Sequence, residues 1–62
     1  MNFPKTIKID NEQAIFQGAV SGSSRAVYKA GDKFWWVWRP ALKLPGTPEF
    51  ETERAGYANP LD

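Results

Sequence analysis

The chain has no cysteine and no histidine. The first absence removes disulfides and thiolate nucleophiles. The second removes imidazole acid–base chemistry, and together they remove the common zinc sites. Nothing approaches the roughly 20 apolar residues that a membrane helix needs. The start, Met1-Asn2-Phe3-Pro4-Lys5, carries no apolar run. No signal peptide is therefore expected, and a cytoplasmic location follows as the expectation. There is no internal repeat and no low-complexity tract.

At 62 residues the chain is one domain, 1–62. A chain this short buries only about 60% of its unfolded surface. With disulfides excluded and no cofactor or metal site in view, its support must come from aromatic packing or self-association. Aromatics are indeed plentiful: three Trp, two Tyr and four Phe. Each buries on the order of 150–250 Å² when covered.

All three tryptophans fall in Phe34-Trp35-Trp36-Val37-Trp38-Arg39. In a strand, neighbouring side chains point to opposite faces. Trp36 and Trp38 then share one face and Trp35 takes the other. The charge is uneven as well. Residues 25–43 carry a net +4 and residues 44–62 a net −3, within a total of +1. The basic block is also the aromatic block.

Alternation marks the strands. Thr6-Ile7-Lys8-Ile9-Asp10 reads as a half-buried strand, Asp10-Asn11-Glu12 as a turn, and Ala14 to Val20 as the returning strand. Ile7, Ile9, Ala14, Phe16 and Val20 are expected on one face. Ser21-Gly22-Ser23-Ser24 is a loop by composition. Arg25 to Ala30 and Lys33 to Arg39 make a second hairpin around Gly31-Asp32. A two-residue loop there sets Lys29 against Phe34 and Arg25 against Trp38, charge opposite ring. A three-residue loop sets Ala26 and Tyr28 beside Phe34, Trp36 and Trp38. The parity argument favours the odd loop or a bulge, with Gly31 supplying positive φ. The inner face then holds Ile7, Ile9, Phe16, Tyr28, Phe34, Trp36 and Trp38, with Leu42 or Leu44 and Phe50. The outer face shows Arg25, Val27, Lys29, Lys33, Trp35, Val37 and Arg39.

Pro40 ends the strand or places it at an edge. Beyond Pro45-Gly46 the pattern is double. Thr47-Pro48-Glu49 suits a helix start, with Arg54 and Gly56 at its end. Glu49-Phe50-Glu51-Thr52-Glu53 also alternates like a strand. The capping pattern tips the segment toward a short helix, with a fifth strand as the alternative. Residues 55–62 read as a flexible tail. The fold class is all-β: an antiparallel meander of four to five strands. Its size and order resemble small five-stranded SH3-like barrels, an architecture that does not set function.

No catalytic constellation is present. Ser21, Ser23 and Ser24 have no histidine to activate them, and the glycines are not spaced as a phosphate loop. Glu49, Glu51 and Glu53 on one strand face suit a solubilising edge better than paired-acid chemistry or a cation site. The expectation is a non-catalytic binding module that recognises a protein partner through the seven outer residues, centred on Trp35. Single-stranded nucleic acid or RNA is the alternative ligand, since bases stack on aromatic platforms while Lys and Arg track phosphates. A homo-oligomer that buries this face is the second alternative. Against all three stand plainer readings. Lys and Arg stems shield the Trp, the C-terminal segment covers a second small core, or the acidic segment Glu49–Glu53 folds over this face and neutralises it.

Overall fold

The computed structural model of the chain describes residues 3–39 and 50–62. Five strands form one antiparallel sheet in the order β1-β2-β3-β4-β5. They are β1 (Thr6–Ile9), β2 (Glu12–Ala19), β3 (Arg25–Ala30), β4 (Lys33–Trp38) and β5 (Glu51–Gly56). The sheet curls into a half-barrel. The expected all-β meander is thus the fold. Among the described residues no helix is long and apolar enough to cross a membrane.

The β1–β2 turn is the two-residue loop Asp10-Asn11, flanked by the Ile9–Glu12 pair. Both loop residues have positive φ, 51° and 65°. That is the type I′ pattern, whose twist matches the strands it joins. Asp and Asn tolerate this backbone better than other side chains. On β2 an irregularity between Phe16 and Gly18 leaves Gln17 as an extra residue. Phe16 pairs with Tyr28, but beyond the bulge Ala19 pairs with Ala26. Val20 then falls opposite Arg25, to which its N–H donates at 2.9 Å. The bulge therefore moves Val20 off the face it was expected to share with Phe16.

The β3–β4 register corrects the larger expectation. Lys29 pairs directly with Phe34 and Arg25 with Trp38, so the loop is Gly31-Asp32 alone. Gly31 has φ 62°, and Asp32 is not positive. Positive φ at the first loop position only is the type II′ pattern, for which Gly is the preferred residue. The inner set of this hairpin is Ala26, Tyr28 and Ala30 with Lys33, Trp35 and Val37. Phe34, Trp36 and Trp38 are on the outer face, opposite to the expectation.

The stretch expected to favour a helix is strand where it is described: Glu51 to Gly56 pairs with β4. Two candidate core residues, Leu42 and Leu44, lie outside the described residues, as do Pro40 and Thr47 to Glu49. Ala55 and Gly56, expected to begin the tail, belong to β5, with Ala55 as a bulge between Arg54 and Gly56.

The inner face carries the core. Ile9, Ala14, Ala26, Tyr28, Ala30 and Val37 are buried there, with Phe3, Ile7, Phe16, Trp35 and Phe50 packed against them. Phe3 comes from outside the sheet and joins the ring cluster at 6.2 Å from Phe16 and 5.8 Å from Phe50. Phe16 meets Tyr28 edge-on at 5.6 Å. Two hydrogen bonds tie the N-terminal segment down. The Phe16 N–H donates to the Lys5 carbonyl at 2.8 Å, and the buried Tyr28 hydroxyl donates to the Pro4 carbonyl. Burial pushes the Tyr28 phenol pKa up.

Candidate partner-binding face

Directly opposed residues in an antiparallel pair point to the same side of the sheet. On the outer face this builds three rows across β3, β4 and β5. They run Arg25–Trp38–Glu51, Val27–Trp36–Glu53 and Lys29–Phe34–Gly56. Trp36 and Trp38, two apart on β4, form a ridge, and both are partly exposed. A column of cations on β3 lies to one side, and a column of acids on β5 lies to the other.

The cations lean onto the rings. The Arg25 guanidinium stands 4.8 Å from the Trp38 ring centre and 5.9 Å from that of Trp36. Lys29 Nζ is 5.6 Å from the Phe34 ring. Exposed contacts of this kind contribute about 0.5–1 kcal/mol each. Charge opposite ring is therefore favourable here, which is why the objection to the two-residue loop fails. The start of β3 is held by the preceding turn: the Arg25 N–H donates to Ser23 Oγ at 3.1 Å, and the Ser23 N–H donates to the Val20 carbonyl at 3.2 Å.

The rest of this face is partly roofed. A Cβ on Gly18 would lie 2.9 Å from Leu61 Cδ1, so the C-terminal segment crosses onto the outer side at β2. Gly18 pairs with Val27, and Trp36 pairs with Val27 from the other side. Val27 is accordingly fully buried although it points away from the core. The segment ends in an Asx turn, the Leu61 N–H donating to Asn59 Oδ1 at 2.9 Å. Among the described residues this face leaves Ile15 and Lys29 exposed, and the Trp36–Trp38 ridge partly exposed with Arg25, Glu51 and Glu53 around it.

The seven residues expected on one surface divide between the two faces. Arg25, Val27 and Lys29 lie on the outer face. Lys33, Trp35, Val37 and Arg39 have the inner parity. Val37 is buried in the core. Trp35 packs against that core, with the Arg54 guanidinium 5.9 Å from its ring, and its buried Nε1 has no hydrogen-bond acceptor among the described residues. The Arg39 guanidinium lies 5.1 Å from the Phe50 ring. Lys33 Nζ is paired with a Glu12 carboxylate oxygen at the hairpin end of the sheet. That hydrogen bond raises the Lys33 pKa, chiefly by favouring the ammonium form.

Phe34, Trp36, Trp38, Glu51 and Glu53 are the outer-face residues that parity misplaced or that the helix alternative obscured. The signal that finds them is Gly31 at the first position of a two-residue loop. Where it is described, the acidic segment does not fold over this face but is the next strand of the sheet, with Glu51 opposite Trp38 and Glu53 opposite Trp36. Among the described residues no group of three or more acidic, His or Cys side chains gathers to hold a metal. Comparison with known protein families, curated proteins and solved structures finds no match to this chain.

Proposed function

We propose that this chain is a non-catalytic binding module that takes a protein partner on its outer face, with Trp36 and Trp38 as the contact ridge. The observation that carries this reading is two partly exposed tryptophans side by side between a cationic and an acidic column. Trp and Arg dominate interface hot spots, because they bring large rigid area and directed charge together. The centre of the module is thus moved from Trp35, which packs on the core, to Trp36 and Trp38.

The two charge columns also bear on the class of ligand. A nucleic-acid strand favours a net cationic face, since releasing counterions from phosphates supplies a large share of its affinity. Here Glu51 and Glu53 share the face with Arg25 and Lys29, and the patch is close to neutral. A phosphate run laid along the Trp ridge would meet carboxylates. A protein surface with mixed charge does not face that penalty.

The test is photo-crosslinking in cells from p-benzoylphenylalanine placed at Glu53, beside Trp36. The reading predicts an adduct to protein that is lost on Trp36→Ala. An adduct to nucleic acid, or no adduct under illumination, contradicts it.

A further inference from the structure

The Arg25–Trp38–Glu51 row of the outer face is charge-complementary to itself, and we infer that the partner of this face is a second copy of this chain. The inference rests on the reading of this face as a protein-docking surface and names its occupant.

The three rows carry the argument. In the outermost row Arg25, Trp38 and Glu51 lie side by side on three successive strands. Adjacent strands are about 4.8 Å apart, so Arg25 and Glu51 flank β4 at equal distances. Two copies can face each other through this sheet with a two-fold axis in the interface, running along β4 or across it. Along β4, the axis exchanges left and right but keeps position along the strand. The β3 of one copy then lies over the β5 of the other. Each Arg25 meets the other copy's Glu51, and each Trp36–Trp38 ridge meets its counterpart. Across β4, the axis lays β3 over β3, and the cations Arg25 and Lys29 face cations. Electrostatics therefore selects the first arrangement. It also leaves the two sheets with aligned strands, the usual geometry for face-to-face sheet packing. A self-complementary patch of this kind is what an isologous dimer requires.

Layer architecture points the same way. A sheet is stable when each apolar face is covered by a second layer. The inner face has its ring cluster from Phe3, Phe16 and Phe50. The outer face has Leu61 over Gly18 at β2 and partly exposed tryptophans at β4. A second copy supplies a layer over β4 that the described residues do not.

Sedimentation of the full chain, from dilute solution into the millimolar range, with two charge-reversal variants tests this. Wild type is expected to pass from monomer to dimer with concentration. Arg25→Glu alone sets carboxylates against carboxylates, and Glu51→Arg alone sets guanidinium groups against each other. Each is expected to weaken dimerisation by about 10-fold or more. A mixture of the two variants restores it, because every carboxylate then faces a guanidinium again. That restoration also shows that both variants fold. A strictly monomeric wild type overturns the inference, and so does a dimer indifferent to the reversals. The crosslink at Glu53 separates this failure from failure of the wider reading. A Trp36-dependent adduct to a different protein, with a monomeric chain, removes the second copy and keeps the docking face. A chain that neither dimerises nor crosslinks to protein removes both.

Discussion

Tyr28 shows how much one side chain settles. Its ring is fully buried between Phe3 and Phe16, and its hydroxyl reaches the Pro4 carbonyl. A buried phenol without an acceptor would be costly, so this one bond recruits the segment before β1 into the core. Tyr28→Phe is expected to lower the unfolding free energy by about 1–2 kcal/mol, read from urea titration, while the strand signals persist. An unchanged midpoint would mean that the N-terminal segment is held by its rings alone. Trp35 and Trp36 make the complementary point. They are neighbours in sequence, yet one packs on the core under Arg54 and the other belongs to the ridge across from Val27. Which is which depends on a single residue of loop length.

At the scale of elements, the hairpin loops set the faces. Gly31 has φ 62° at the first position of a type II′ turn, a conformation that costs a residue with a Cβ about 1–3 kcal/mol. Gly31→Ala is expected to destabilise the fold by that amount in the same titration. A neutral result would mean that the loop relaxes to another turn. The first hairpin was legible from sequence, because alternation, Asp-Asn and the Ile7, Ile9, Ala14 set all pointed one way. The second was legible in extent but not in parity. Gly31 suits a two-residue or a three-residue loop, so the sequence decides parity only through the charge-against-ring objection. Contacts of Arg25 and Lys29 with the rings at 4.8 Å and 5.6 Å reverse the sign of that objection. Residues 51–56 were ambiguous for a different reason. Local caps and local alternation disagree, and only pairing with β4, remote in sequence, decides for strand. The candidate site inherited the parity error. Arg25, Val27 and Lys29 were placed on the right strand face, and their aromatic neighbours were not.

At the scale of the whole molecule, one curled sheet carries two different faces. The inner one is a ring-lined core, with the Glu12–Lys33 pair at the hairpin end of the sheet. The outer one is a narrow aromatic ridge between opposite charges. The pH dependence of stability reports on the first. Both resolved shifts are upward, at the Tyr28 phenol through burial and at Lys33 through its bond to Glu12. A group whose pKa is raised on folding holds its proton longer in the native state. Its contribution is complete below the unfolded value, about 10 for Tyr and about 10.4 for Lys, and is lost as pH rises through the folded value. Unfolding free energy is therefore expected to hold level from neutral pH to about 10 and to fall above it. Chemical denaturation across that range checks this. In Glu12→Gln the Lys33 part of the fall should diminish, and an identical curve would remove the pair from the account.

The register of β3 against β4 is the claim on which the faces, the ridge and the partner all depend. The most direct measurement is the set of cross-strand nuclear Overhauser contacts to the rings of Phe34 and Trp38. The account predicts contacts from the Lys29 side chain to the Phe34 ring and from the Arg25 side chain to the Trp38 ring, with both side chains shifted by the ring currents. Contacts to those two rings from Ala26 and Tyr28 instead would put Trp36 and Trp38 in the core and Trp35 outside, and the proposed face would not exist.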